Sequence, residues 1–213
     1  MIESFGVPHA EVEFILANGT SVDFSYLVTD GDRISVYPMF ESVDMTPELR
    51  VRREPLREPK FILDVHLGKL AAYLRMLGFD TFYRNCLADP ELARLSREQR
   101  RILLTRDRGL LKHSAVTHGY WLRETDSRRQ AAEIVRRFDL ARRIRPFTRC
   151  MACNGELRPA TKSEVLHLIP LRTAEVYEEY QRCIECGRAY WKGSHHGRMQ
   201  RWIEELTGAA APA

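Results

Sequence analysis

The residues of this sequence whose types and spacing could do chemistry are four paired cysteines and three aspartates. Cys150 and Cys153 form one C-x-x-C pair and Cys183 and Cys186 another, with twenty-nine residues between the pairs. Four thiolates so arranged are a tetrahedral set for Zn²⁺, and a set made of cysteine alone leaves no open position for catalysis by that ion. Asn154-Gly155 and Gly187 follow the pairs and permit the tight turn in which backbone amides face the sulfurs. A redox pair or an iron–sulfur cluster is the competing reading. Cys86 is left over, and without a signal-peptide pattern the arithmetic favours metal over disulfides.

The aspartates stand at the ends of short apolar runs. Asp64 directly follows FIL, Asp107 follows ILLTR, and Asp89 lies in the connection between those runs. Buried parallel strands bring such acids together at one edge of an open α/β sheet. Carboxylates gathered there can hold Mg²⁺ or Mn²⁺, ions suited to phosphoryl chemistry. Asp80 begins a strand and so belongs to the opposite edge, while Glu124 and Asp126 are spare candidates at the same edge. Each acid also has a plain structural role open to it, as a helix cap for Asp89, Asp107 and Asp126. Phosphatase chemistry through Asp64 lacks its usual second aspartate, since residue 66 is histidine.

The elements that must position these residues read as follows. From Phe61 the pattern is strand, helix, strand, helix, strand. Leu67, Leu70, Ala71, Leu74 and Leu77 recur at helical spacing before Gly78. Strands are expected at 80–83, 102–105 and 119–123, with Asp89-Pro90 opening one helix and Asp126 or Ser127 another, which runs to about Leu140. Crossovers this short and helical imply parallel strands. Ahead of them, EVEFILA, SVDFSY and RISVYPMF read as three strands joined at Asn18-Gly19 and Asp30-Gly31-Asp32. MIESFG reads as a helix tail closed by Gly6, and proline-rich 47–60 as a linker. In the interval between the cysteine pairs, LHLIP and EVYEEYQRC suggest a hairpin, and Gly197 to Leu206 the last helix. The domains are thus 1–46, a linker 47–60, a core 61–145 and a cysteine module 146–206.

With 213 residues the chain is long enough for one or two domains with a sizeable core. No apolar run approaches a bilayer span, so the expectation is a cytoplasmic protein with no membrane partner. Residues 1–46 hold eight acids and one base although the whole chain is at +4, so the body is strongly basic. That asymmetry suits a polyanion on the body and a protein partner on the acidic head. Eight arginines (128, 129, 136, 137, 142, 143, 145 and 149) cluster at the end of the core and the start of the cysteine module. They are either a solvated helix face or a phosphate-tracking surface, with Arg128, Arg129, Arg136, Arg137, Arg142 and Arg143 the candidates for nucleic acid. Tyr190, Trp191 and Lys192 interleave aromatics with charge and could stack unpaired bases, or Trp191 could be core.

LLTRD, preceded by AD-x-x-L-A-x-L, is similar to the closing half of PIN-domain nucleases. The run from FILDVHLGKLAAYLRMLGFDT to RRILLTRDRGLL, with the cysteine pairs after it, resembles the Mut-seven C-terminal RNase family over about 61 to 199. The resemblance implies an α/β, PIN-like parallel sheet flanked by helices, a C-terminal zinc ribbon, RNA as substrate, and Asp64, Asp89 and Asp107 as catalytic, metal-binding acids. Between Asp64 and Asp89 the only aspartate or glutamate is Asp80, so the acid set is thinner than in typical PIN domains. GVPHAEVEFILANGTSV and DGDRISVYPMF resemble the second half of a ubiquitin-like β-grasp domain of the sulfur-carrier type, without the carrier's terminal Gly-Gly. The expected function is a metal-dependent ribonuclease. The alternative is a non-catalytic RNA- or ribosome-binding module with the same fold and zinc.

Overall fold

The computed structural model describes residues 1–38, 51 and 58–208. Most of the 47–60 linker, and Met39-Phe40 at the end of the third strand-like run, lie outside the described residues.

The N-terminal segment begins with a 3₁₀ turn, Ile2–Phe5, closed by Gly6 at φ 83°. Strand β1 (Val12–Ala17) pairs antiparallel with β2 (Thr20–Val22) and with β3 (Ile34–Pro38), in the order β2-β1-β3. Asn18 (φ 51°) and Gly19 (φ 83°) form the two-residue turn between β1 and β2, both in the left-handed region that this pair tolerates. The second strand stops at Val22 and does not run on to Tyr26. The Asp23 carboxylate accepts from the Ser25 amide at 2.8 Å, and Asp32 gathers the Thr29 amide (2.8 Å) and the Tyr26 hydroxyl (3.0 Å), which curls 23–32 into a loop.

The core is a four-stranded parallel sheet of β4 (Phe61–Leu63), β5 (Thr81–Phe82), β6 (Ile102–Thr105) and β7 (Gly119–Trp121), in the order β5-β4-β6-β7. Its helices are α1 (Gly68–Met76), α2 (Asp89–Glu98), α3 (Arg108–Leu111) and α4 (Ser127–Arg137). Alternation along the strands sorts the faces. Phe61, Leu63, Ile102 and Leu104 pack against α1 and α4, while Ile62 and Leu103 pack against α2 and α3. A strand covered on both faces carries a continuous apolar run, as FIL and ILL do.

The N-terminal segment joins this core. Ala10 packs with Ile62, Leu103 and Val116. The Glu11 carboxylate accepts the Trp121 amide of edge strand β7 at 2.6 Å, and His9 Nε2 lies 3.0 Å from the Val116 carbonyl.

The C-terminal module is an antiparallel sheet of β8 (Leu157–Ala160), β9 (Tyr180–Cys183) and β10 (Ala189–Trp191), in the order β10-β9-β8. The partner of β9 is therefore β8. LHLIP is not a strand: a capping box of Thr161 and Glu164 starts α5 (Lys162–Val165), and a 3₁₀ turn follows over Leu166–Leu168. Helix α6 (Leu171–Val176) returns the chain, and Val165, Ile169, Ala174 and Tyr180 form a small core. The final helix, α7 (His196–Gly208), sends Ile203 into the main core. Among the described residues no helix is long and apolar enough to cross a membrane.

Candidate active site and metal centre

Strand order decides where a crevice opens. From β4 the chain leaves through α1 on one face, whereas from β6 it leaves through α3 on the other. Neighbouring strands whose connections part in this way leave a cleft beyond their carboxyl ends. A cleft of about 550 Å³ lies there, lined by Asp64, Asp89 and Asp107 together with His66, Arg106, Ser127 and Gln130.

Each acid is held differently. Asp64 is buried, and its Oδ2 accepts the Thr105 hydroxyl at 2.8 Å. The same hydroxyl oxygen accepts the Asp107 amide at 2.9 Å, so one threonine ties the Asp64 carboxylate to the Asp107 backbone. Asp107 Oδ1 accepts from the Gly109 amide at 2.6 Å and so caps α3. Asp89 is exposed at the start of α2, where Ala88 and not Asp89 occupies the cap position, and its carboxylate bonds to no described residue. None of the three forms an ion pair with a described residue. Their ligand oxygens do not close to within 4.8 Å as a set of three.

Asp80 lies before β5, at the opposite edge, bound to Arg101 at 2.7 Å and to the Asn154 amide at 2.8 Å. Of the spare acids, Asp126 caps α4 by accepting from the amides of Arg128 and Arg129, and it is Thr125 and Ser127 that line the cleft.

Thr105 went unread in the sequence, though a polar residue closing an otherwise apolar buried strand is a visible signal. Glu133 was not singled out in the sequence either: it is buried and accepts from the Tyr120 hydroxyl and from the amides of Arg123 and Glu124, just before the Thr125 that lines the cleft. Burial, and then that bond to Glu133, push the Tyr120 hydroxyl up to about 12.

The cysteines converge from two knuckles of the same design. In the first, Asn154 takes φ 76° and the Gly155 amide points at Cys153 Sγ at 3.4 Å. In the second, Gly187 takes φ 72° and the Cys186 amide points at Cys183 Sγ at 3.5 Å. All four Sγ atoms lie within 4.8 Å of one another, with Cys153–Cys183 at 3.4 Å and Cys150–Cys186 at 3.6 Å. Tetrahedral zinc with bonds of about 2.3 Å sets its sulfurs about 3.8 Å apart, so the donor set and spacing fit a structural ion of that kind. Burial works against the Cys150 thiolate, but the Tyr190 hydroxyl and nearby amides outweigh it and bring the thiol down to about 6.

Two comparisons with protein families bear on this arrangement. The model of the Mut7-C RNAse domain matches residues 59–203, and that of the Mut7-C ubiquitin domain matches residues 1–44. The chain belongs to the Mut7-C RNAse family. Neither a curated protein nor a solved structure matches it significantly. In this Mut7-C chain the parallel sheet, the acid cleft and the four-thiol group all fall inside the matched RNAse region, a nuclease-type family.

The arginines between 128 and 149 divide. Arg145 and Arg149 donate to backbone carbonyls, and Arg128 donates to the Tyr73 hydroxyl. Arg129, Arg136, Arg142 and Arg143 are exposed, and Arg137 lies over the rings of Tyr120 and Phe138. A second groove, about 640 Å³, opens between the ribbon and α7 and includes Phe147, Trp191 and His196. Its acids, Glu178 and Glu179, are paired with Lys162 and Lys192, so it offers no free carboxylates for hydrolysis.

Proposed function

We propose that this chain hydrolyses RNA phosphodiester bonds at the cleft between β4 and β6, with Mg²⁺ or Mn²⁺ held by Asp64, Asp89 and Asp107. The observation that carries the reading is the placement of three aspartates without a cationic partner at the switch point of a parallel sheet. Such a set favours a hard cation, because clustered carboxylates otherwise repel and take up protons. The spacing suits an ion that keeps several of its waters. When bound, the cation would supply positive charge to the phosphate and activate water.

The protein's own share is positional. Thr105 orients the buried Asp64 carboxylate and anchors the Asp107 backbone. Arg106 presents a guanidinium to a phosphate entering between them. Arg128, Arg129, Arg136, Arg137, Arg142 and Arg143 extend the positive surface along α4 and beyond, and residues 61–145 serve as the nuclease core. Cys150, Cys153, Cys183 and Cys186 hold Zn²⁺ as a structural ion.

A non-catalytic RNA- or ribosome-binding module is the second reading, favoured by the open spacing of the acids and by the exposure of Asp89. Cleavage of a single-stranded RNA with Mn²⁺ decides between them. The enzymatic reading expects cleavage that Asp107→Asn abolishes; a protein that never cuts, or whose cutting ignores that substitution, is a binder or acts elsewhere.

A further inference from the structure

Beyond Asp107 the same sheet edge carries groups that the acid cleft does not use. Arg108, the first residue of α3, sets its guanidinium 3.8 Å from the centre of the Trp121 indole. Arg123 stands 5.3 Å from the same ring. The indole N–H donates to the Arg106 carbonyl at 3.1 Å, while the Arg106 side chain lines the cleft. Three consecutive residues thus connect cleft to indole. Arg106, Arg108 and Arg123 are exposed, and Trp121 is half-buried. Neither Arg106 nor Arg108 pairs with a described acid, and Arg123 reaches only Glu11, at 3.8 Å.

A strip of guanidinium charge, uncompensated at Arg106 and Arg108, with an indole set into it suits one ligand chemistry. Arginine neutralises phosphate, and an indole accepts the face of any base. The Arg108 guanidinium lies over the indole, and an arginine plane held in such a cation–π stack accepts a base as a ring does. Bases within a duplex have both faces occupied, so the strip selects unpaired nucleotides.

We propose that the Trp121 indole and the Arg108 guanidinium stacked over it form the platform for an unpaired nucleotide next to the scissile phosphate, with Arg106 on the phosphate that joins platform to cleft. This rests on the ribonuclease reading and defines its substrate as single-stranded RNA. Glu11 has a positioning role, because its carboxylate fixes the Trp121 amide.

The test is fluorescence anisotropy with the full chain, in buffer without added divalent cation so that no cleavage runs. The probes are a short fluorescein-labelled single-stranded RNA and its duplex. Trp121→Ala is expected to weaken single-strand binding about 10-fold, the loss of one stacked base. Trp121→Phe should retain most of the affinity, which loss of a merely structural side chain would not explain. Arg108→Ala, an exposed change, should weaken single-strand binding more than duplex binding without altering the melting temperature, and Trp121→Ala should leave duplex binding unchanged. If Trp121→Ala does not fold, Arg108→Ala and Trp121→Phe decide. Folded Arg108→Ala and Trp121→Ala proteins with unchanged single-strand affinity overturn the platform. A protein that binds through Trp121 yet never cuts RNA sinks the ribonuclease reading alone. One that cuts, with KM indifferent to Arg108→Ala, sinks the platform alone.

Discussion

The two edges of the parallel sheet use the same residue type in opposite ways. At the edge where the strands begin, Asp80 is saturated, taking Arg101 and the Asn154 side chain, while Arg75 nearby donates to the carbonyls of Met151 and Ala152. At the edge where they end, Asp64, Asp89 and Asp107 line an open cleft with one hydrogen bond each, or none. An acid whose lone pairs are taken by fixed donors has structural work. An acid left without a cation beside other acids retains charge for something that arrives. The partnership of each carboxylate, more than its identity, separates weld from site.

The largest expected effect tests the open edge. Asp64→Asn should lower RNA cleavage about 1,000-fold or more while the melting temperature stays at or above that of the parent, since no ion pair is lost. A variant that loses stability and activity together would make Asp64 another structural acid and erase the contrast.

Next comes the saturated edge. Asp80→Ala leaves the partly buried Arg101 without its carboxylate and should cost about 2–3 kcal/mol by denaturant unfolding. Cleavage per folded molecule should not change. Asn154→Ala removes the side-chain amide that donates to Asp80 and accepts from the Thr81 amide at 2.8 Å, and puts a poor residue at φ 76°. A loss of about 1–2 kcal/mol is expected, with Asn154→Gly recovering the backbone share. Equal losses for the two variants would assign the whole effect to the hydrogen bonds.

The smallest effect is one of pH. Burial alone would raise the Asp80 carboxyl, but the bonds from Arg101 and Asn154 outweigh it and hold it below the ordinary range. A depressed carboxylate stabilises the fold above its unfolded pKa of about 4, and that stabilisation disappears as pH falls through the lower folded value. Urea midpoints of the parent and of Asp80→Asn should therefore differ most near neutrality and converge in acid. Parallel curves across that range would show that Asp80 contributes no such linkage.

Much of this contrast is legible in the sequence. The direction of a parallel strand follows from short helical crossovers, so the position of an aspartate before or after an apolar run states its edge. That reasoning separates Asp80 from Asp64 and Asp107, and the paired C-x-x-C spacing marks the four thiols. What stayed hidden depends on side-chain partners. Nothing in the order of residues says that the Thr105 hydroxyl joins the Asp64 carboxylate to the Asp107 backbone amide, or that Glu133 turns inward to hold backbone amides. The β9 pairing was misread for a related reason: LHLIP is apolar enough for a strand, yet the Thr161–Glu164 capping box upstream commits the chain to a helical turn. Local donors decided where apolar pattern alone could not.

The contact of Glu11 and Ala10 with β7 has a consequence for how the chain behaves in company. An open sheet ends in strands whose outer amides and carbonyls can template pairing with another molecule. On the β7 side, the Glu11 carboxylate occupies the Trp121 amide, and Gly119 is so closely covered that a Cβ there would lie 3.3 Å from that of Ala10. The N-terminal segment thus acts as a guard on an adhesive edge. A chain without it would keep the parallel sheet's own hydrogen bonds but present a bare strand, and its solutions would turn turbid as concentration rises while the intact chain stays dispersed.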